Sequence, residues 1–175
     1  MITTRLLAQD EVTRIWEIDR SEVIERIYYY ENGSLVLKDE HYDMKGWPPG
    51  EGEKYTPILL ECLEQGGWLQ AAFDGSKLVG VAILEGRFIG RDGDTLQLKF
   101  LHVSSNYRKQ GLGRELFEAA RAKARERGAR RIYISATPSE NTVNFYLGLG
   151  CSLASEPDPE LFALEPEDIH LECEV

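Results

Sequence analysis

Apolar residues recur along this chain in two periods, which divide it into strands and helices. Alternating or near-continuous apolar runs at residues 2–7, 68–73, 78–85, 96–103, 131–136 and 169–175 predict strands. In the last of these Ile169, Leu171 and Cys173 face one way and His170, Glu172 and Glu174 the other, as in an antiparallel strand. Leu112, Leu116, Ala120 and Ala124 stand four apart and predict an amphipathic helix stopped by Gly128. Helices are also expected at residues 9–18 and 55–65 and, after Pro138, through SENTVNFYLGLGC. Residues 24–30 and 34–38 flank the Asn32-Gly33 turn signal and predict a hairpin, and Asp74-Gly75-Ser76-Lys77 turns a second one. The acid-, aromatic- and Gly/Pro-rich stretch 39–52 reads as a loop, and no internal repeat is visible.

The most informative chemistry lies where the run LQLKFLHV meets the long helix, in the segment YRKQGLGR at residues 107–114. Gly111 and Gly113 carry no Cβ, so a ligand can approach the backbone closely. The helix that follows aims unpaired N–H groups and its positive dipole end at any bound anion. Arg108 and Lys109 add charge. Two better-known phosphate loops do not fit: Arg114-Glu115 follows Gly113 where a nucleotide P-loop has Lys-Ser or Lys-Thr, and Leu116 replaces the third glycine of a dinucleotide fingerprint. Taken alone, such glycines also make an ordinary turn.

Leu101, Val103, Tyr107, Arg108, Gly111 and Gly113 form L-x-V-x-x-x-Y-R-x-x-G-x-G, which resembles the acyl-CoA-binding motif of the GNAT superfamily of N-acyltransferases. A second block, RIYISA followed by Pro138 and the helix, resembles the family's second motif, with Phe145, Tyr146 and Gly150 in place. Ser139 replaces the usual Asn, Thr142 the usual Ala and Cys151 the usual Phe. The resemblance is specific from about residue 96 to 151 and implies an α/β fold: a mixed, mostly antiparallel, twisted sheet flanked by helices on both faces. It implies acetyl-CoA as the acyl donor, with its pyrophosphate on Arg108, Lys109, Gln110, Gly111, Leu112, Gly113 and Arg114. The pantetheine arm would pair with the backbone at Leu101 and Val103, on a strand whose ladder a bulge interrupts. Ser139 reads both as a helix cap and as a polar contact to CoA, and Tyr146 lines the same site.

At 175 residues, with 42% hydrophobic and 29% charged content, the whole chain, 1–175, fits one such domain, with a hairpin and loop insertion at about 21–52 on the acceptor side. No basic leader precedes an apolar stretch and no apolar run reaches 18 residues, so a cytoplasmic protein without a membrane partner is expected. Three cysteines, Cys62, Cys151 and Cys173, lack C-x-x-C spacing and suggest neither a disulfide framework nor a metal site. A net charge of -10 argues against nucleic acid and suits a cationic amine. The tyrosines, Trp47, Asp43 and Glu40 of the insertion then read either as walls of an amine pocket or as packing and homodimer contacts.

The resemblance implies direct attack of a primary amine on the thioester in a ternary complex. The Val103 N–H would bond the thioester oxygen, and Tyr146 would protonate the departing thiolate. Packing of Tyr146 in its helix face is the plainer role for the same residue. The general base stays open: Gln97 and Lys99 stand where the family often has Glu or His, and His102, His170 and Glu85 are further candidates. A non-catalytic acyl-CoA sensor or scaffold, or an enzyme acting on a protein amine, are the alternatives.

Overall fold

The computed structural model describes residues 1–175. The elements are β1 (Ile2–Leu6), a 3-10 helix (Gln9–Glu17), β2 (Glu22–Glu31), β3 (Ser34–Met44), α1 (Glu51–Glu64), β4 (Trp68–Asp74), β5 (Lys77–Ile89) and β6 (Thr95–Val103). A 3-10 turn (Ser105–Tyr107) leads to α2 (Leu112–Glu126), then β7 (Arg131–Ala136), α3 (Glu140–Gly148), β8 (Ser152–Leu153), α4 (Pro159–Leu164) and β9 (Ile169–Glu174). Seven strands form one sheet in the order β1-β4-β5-β6-β7-β9-β8, and β2-β3 make a separate two-stranded sheet. Within the large sheet only β6 and β7 run parallel. The mixed, mostly antiparallel sheet expected from the sequence is thus present.

Alternation along the strands sends side chains to two cores. On one face Leu96, Leu98, Ile132, Ile134 and Ala136 pack under α2 and α3 with Leu116, Phe117, Val143 and Tyr146. On the other, Leu69, Ala71, Phe73, Val81 and Ile83 pack under the 3-10 helix and α1 with Ile15, Leu59 and Cys62. Segment 9–17 was expected as an ordinary helix. Its buried residues Val12 and Ile15, with Ile18 just beyond, are three apart, which suits the three-residue turn of a 3-10 helix better than a 3.6-residue one.

The hairpin differs from expectation in extent. Its turn holds Asn32 and Gly33 at φ 52° and 84°, the left-handed pair that an Asn-Gly hairpin requires. Strand β3, however, continues to Met44, so residues 39–44 are paired strand rather than loop. A two-stranded sheet with little of itself buried needs no apolar alternation, which is why its polar half looked like loop. Two small elements, β8 and α4, were not expected. For α4 the signal was present in Asp158-Pro159: the Asp158 carboxylate accepts the Glu160 and Leu161 N–H groups at 3.0 and 3.1 Å, and proline takes the first helical turn.

Candidate active site

β6 and β7 pair only at Thr95–Arg131, Leu96–Ile132 and Gln97–Tyr133, after which the two strands part. β6 is interrupted there: Leu98 pairs with Leu84 and Phe100 with Ile83, which leaves Lys99 as a bulge. Beyond it the Ser104 N–H donates to Val79 O at 2.8 Å. By the two-residue period of a strand, the amides of Leu101 and Val103 therefore face the gap rather than β5. The sequence resemblance implied this open edge and its bulge; tertiary pairing creates both.

At the end of β6 the chain enters the loop. Lys109 and Gly111 both have positive φ, 60° and 91°, and Gly111 is the residue that caps α2. None of the six consecutive N–H groups from Lys109 to Arg114 donates to a backbone or side-chain acceptor. A Cβ built on Gly111 would meet nothing within 4 Å. This is a run of free donors at a helix N-terminus, chemically fitted to a pyrophosphate. Lys109 and Arg114 are exposed and form no salt bridge, so two cations flank the run. Gly113 has a different reason to be glycine: a Cβ there would lie 3.3 Å from Phe145 Cε2 and 3.9 Å from Val103 Cγ2, so its absence lets α2, α3 and the end of β6 converge.

Three residues expected at the ligand have their side chains engaged within the protein. Arg108 does not direct its guanidinium at the cradle: Nε donates to Val103 O at 2.9 Å, Nη1 to Ser21 O at 2.8 Å and Nη2 to Asp19 O at 3.2 Å. Ser139 is 1% exposed; its hydroxyl donates to Thr142 Oγ1 at 2.9 Å and accepts from the Thr142 N–H at 3.3 Å. Its cap role therefore occupies the group that was to touch CoA. The Gln110 side chain donates to Asn106 O at 2.9 Å and so ties the loop while staying exposed.

Tyr146 is buried between Phe145 and Phe117, with ring centroids 5.1 and 6.0 Å away. Burial raises its phenol well above the ordinary range, with Cys151 adding to the effect, so the proton stays on at physiological pH. Its hydroxyl forms no hydrogen bond within the protein, and the one fully enclosed side-chain polar atom without a partner is Arg121 Nε. The phenol is therefore a free, protonated donor at the edge of the core.

The candidate bases sort themselves by geometry. Lys99 pairs with Glu85 at 2.8 Å, and both are mostly enclosed, so neither is free. His102 sits against Trp47 and Phe100 at 4.9 and 5.2 Å, and burial, helped by Arg20 and Arg108, pushes its pKa down to about 3. His170 is committed as well: its Nδ1 lies 2.6 Å from the Tyr133 hydroxyl and its Nε2 lies 3.0 Å from Glu165 O. A carbonyl only accepts, so the neutral ring keeps its hydrogen on Nε2 toward Glu165 O, and Nδ1 accepts the Tyr133 hydroxyl. Of the insertion's acids, Asp43 pairs with Lys45 at 2.5 Å, and Glu40 accepts both the Tyr29 and Tyr42 hydroxyls.

A residue that the sequence reading passed over stands on the far arm. Asp168, just before β9, accepts the Ser135 hydroxyl at 2.9 Å, and burial raises its carboxyl above the usual range. Glu165 is raised by burial too, with Asp168 nearby contributing. Burial dominates the His102 and Asp168 shifts, and Arg20 adds a smaller charge effect that disfavours protonation of His102 and favours the Asp168 carboxylate. Arg20 also pairs with Glu51 at 3.6 Å and lies over Trp47, 5.1 Å from the ring. Aromatic rings thus gather around His102 on β6, and two carboxyls raised by burial, Glu165 and Asp168, precede β9.

No curated protein sequence matches the chain closely enough to count as a relative. Solved structures resemble it over nearly its whole length. Nourseothricin acetyltransferase is 18% identical, with 99% of this chain and 98% of that one covered at a TM-score of 0.70. A Bacillus anthracis protein named as a streptothricin acetyltransferase, in complex with acetyl coenzyme A, is 16% identical, with 100% and 99% covered at 0.72. The PaiA N-acetyltransferase of Thermoplasma acidophilum, in complex with coenzyme A, is 16% identical, with 100% and 99% covered at 0.64. At such identities the likeness establishes the fold. The family follows from the sequence model of the Acetyltransferase (GNAT) family, which matches residues 15–150, and the chain therefore belongs to the GNAT acetyltransferases, enzymes of acyl transfer from acetyl-CoA.

Proposed function

We propose that this protein transfers the acetyl group of acetyl-CoA to a small, cationic primary amine by direct attack in a ternary complex. The observation that carries the reading is the run of six free N–H groups at residues 109–114 beside the open edge of β6. The run would hold the pyrophosphate together with Lys109 and Arg114, and the Leu101 amide would take the pantetheine arm, leaving the Val103 N–H for the thioester. Acetyl-CoA supplies the activated acyl thioester.

The protein's part is charge placement. The Val103 N–H donates to the carbonyl oxygen as negative charge grows on it. Tyr146 offers its proton to the sulfur, and its raised affinity for that proton keeps the donor form populated. An alkylammonium has a pKa near about 10.4, so the amine must lose a proton before it attacks. In this reading Asp168, whose carboxyl burial raises above the usual range, would accept it, while Glu165 and the aromatic rings of Trp47, Tyr55 and Phe100 would favour a cation. Two of the similar structures are named as acetyltransferases of nourseothricin and of streptothricin.

The test is a panel of polyamines, aminoglycosides, amino acids and arylalkylamines assayed with acetyl-CoA for thiol release, beside calorimetry with CoA. Turnover of a cationic amine supports the reading. CoA binding without turnover of any amine leaves a sensor or scaffold, and turnover of peptide amines alone moves the acceptor to protein.

A further inference from the structure

Strand β2 runs from one arm of the gap to the other. Its entry, residues 19–21, lies against the exit of β6: the Asp19 N–H donates to Ser104 Oγ at 2.9 Å, the Ser105 N–H to Asp19 O at 2.9 Å, and the Ser105 hydroxyl to the Asp19 carboxylate at 2.5 Å. Its middle lies against the start of α3. Arg26 forks onto Glu140 at 2.8 and 2.7 Å, the Tyr28 N–H donates to Pro138 O at 2.8 Å, and the Tyr28 hydroxyl donates to Asn144 at 2.7 Å. The β2-β3 sheet joins no strand of the large sheet and buries only Ile24 and Ile27. Tyr28 and Leu35 pack against the core of the large sheet, and these polar ties add to what holds the hairpin there.

We infer that Arg108 is a positioning residue that couples the anion-binding loop to the β2-β3 hairpin, so that CoA bound at residues 109–114 stiffens the wall of the acceptor side. The inference rests on the reading of that loop as a CoA site. Arg108 is the residue immediately before the cradle, and its guanidinium joins three carbonyls from two segments: Val103 on β6, and Asp19 and Ser21 at the entry to β2. A planar fork holds its acceptors in fixed relation, which a flexible ammonium does not. The next residue, Lys109, has φ 60°, a left-handed conformation that a non-glycine keeps only where its surroundings over-determine it. A ligand that fixes the amides of 109–114 fixes the Arg108 backbone, and the fork passes that constraint to residues 19–21 and so to β2. The arginine at this motif position thus works away from the phosphate, on the acceptor side.

The test compares the full-length wild type, Arg108→Ala and Arg108→Lys by amide hydrogen exchange with and without CoA, and by CoA calorimetry at low and high salt. In wild type, CoA should protect residues 109–114 and also 22–30. In both variants the free hairpin should exchange about 10-fold faster, the scale of one lost charge-assisted hydrogen bond. CoA should still protect the loop but not the hairpin, with its affinity changed by less than about 5-fold, the scale of an exposed ion pair. Lysine keeps the charge, so a loss of CoA affinity above about 10-fold in Arg108→Ala that Arg108→Lys restores would make Arg108 a phosphate ligand and overturn the inference. Hairpin protection by CoA that survives in both variants would overturn it as well. Failure of the wild type to bind CoA removes the acetyl-CoA reading and the coupling with it, while exchange in the free protein still judges the staple. If Arg108→Ala does not fold, Arg108→Lys with wild type decides the question.

Discussion

Trp47 stands edge-on to His102, their ring centroids 4.9 Å apart, and Phe100 closes the other side at 5.2 Å. The indole also donates to Ile18 O at 2.8 Å, which fixes its ring against the imidazole. Burial, with Arg20 and Arg108 near, holds the His102 pKa down at about 3. The unfolded imidazole accepts a proton below about pH 6.5, and the folded one does so only near pH 3. Acid between those values therefore favours the unfolded state.

Replacing His102 with Phe should flatten this acid loss. Melting temperatures of wild type and His102→Phe, followed from pH 7 to pH 4, should converge or cross as the pH falls. Parallel curves would show that His102 already takes its proton in the folded protein.

Tyr133→Phe should destabilise the fold. It removes the donor to His170 Nδ1 and the acceptor of the Asp158 N–H, and both Tyr133 and His170 are buried. Leaving such groups unpaired costs about 1–3 kcal/mol. Urea unfolding at pH 7 measures it, and an unchanged midpoint would mean that water replaces the phenol.

The two loop glycines should fail in different ways. Gly111→Ala forces a side chain into φ 91° with open space around it, so the cost is about 1–2 kcal/mol of backbone strain plus obstruction of the cradle. Gly113→Ala presses on Phe145 from 3.3 Å and should disturb the seating of α3, and with it turnover, more than CoA affinity. Calorimetry with CoA separates them; equal losses of affinity would contradict the packing role of Gly113.

Tyr146→Phe deletes a hydroxyl that bonds to nothing in the protein, so the melting temperature should barely move. If that hydroxyl protonates the thiolate, kcat should drop about 10²-fold or more with CoA affinity kept. Retained turnover, under conditions where chemistry limits the rate, returns Tyr146 to its place between Phe145 and Phe117.

Asp168→Asn should lower kcat/KM near neutral pH and recover as the pH approaches about 10, where the amine sheds its own proton. A carboxylate that only attracts the cation would instead give a loss of similar size across that range. The pH profiles of both proteins with one accepted amine decide between base and anchor.

How much of this was legible beforehand varies with the range of the interaction. The loop was, because its chemistry is local: a glycine at φ 91°, a helix start and consecutive amides follow from one short segment. The hairpin turn was as well, since Asn32-Gly33 states its own dihedrals. The length of β3 was not, because its partner residues on β2 pair without an apolar pattern. Arg108 was legible as a charge but not in its long-range partners, Ser21 and Asp19, which lie 87 and 89 positions away. Asp168 carried no local signal at all; its meaning comes from Ser135, 33 positions earlier.

Local sequence was enough for most of the strands and helices, the family and the position of the candidate anion-binding loop, since periodicity, turn residues and short motifs act over a few neighbours. Tertiary structure alone decided which groups stay free. Arg108 and Ser139 are motif residues by sequence, yet the folded chain occupies their side chains with its own carbonyls and its own helix cap, while the six loop amides and the Tyr146 hydroxyl are left unpaired. A polar group binds a ligand only with the capacity that the fold has not used, and that remainder depends on partners brought together from distant parts of the chain.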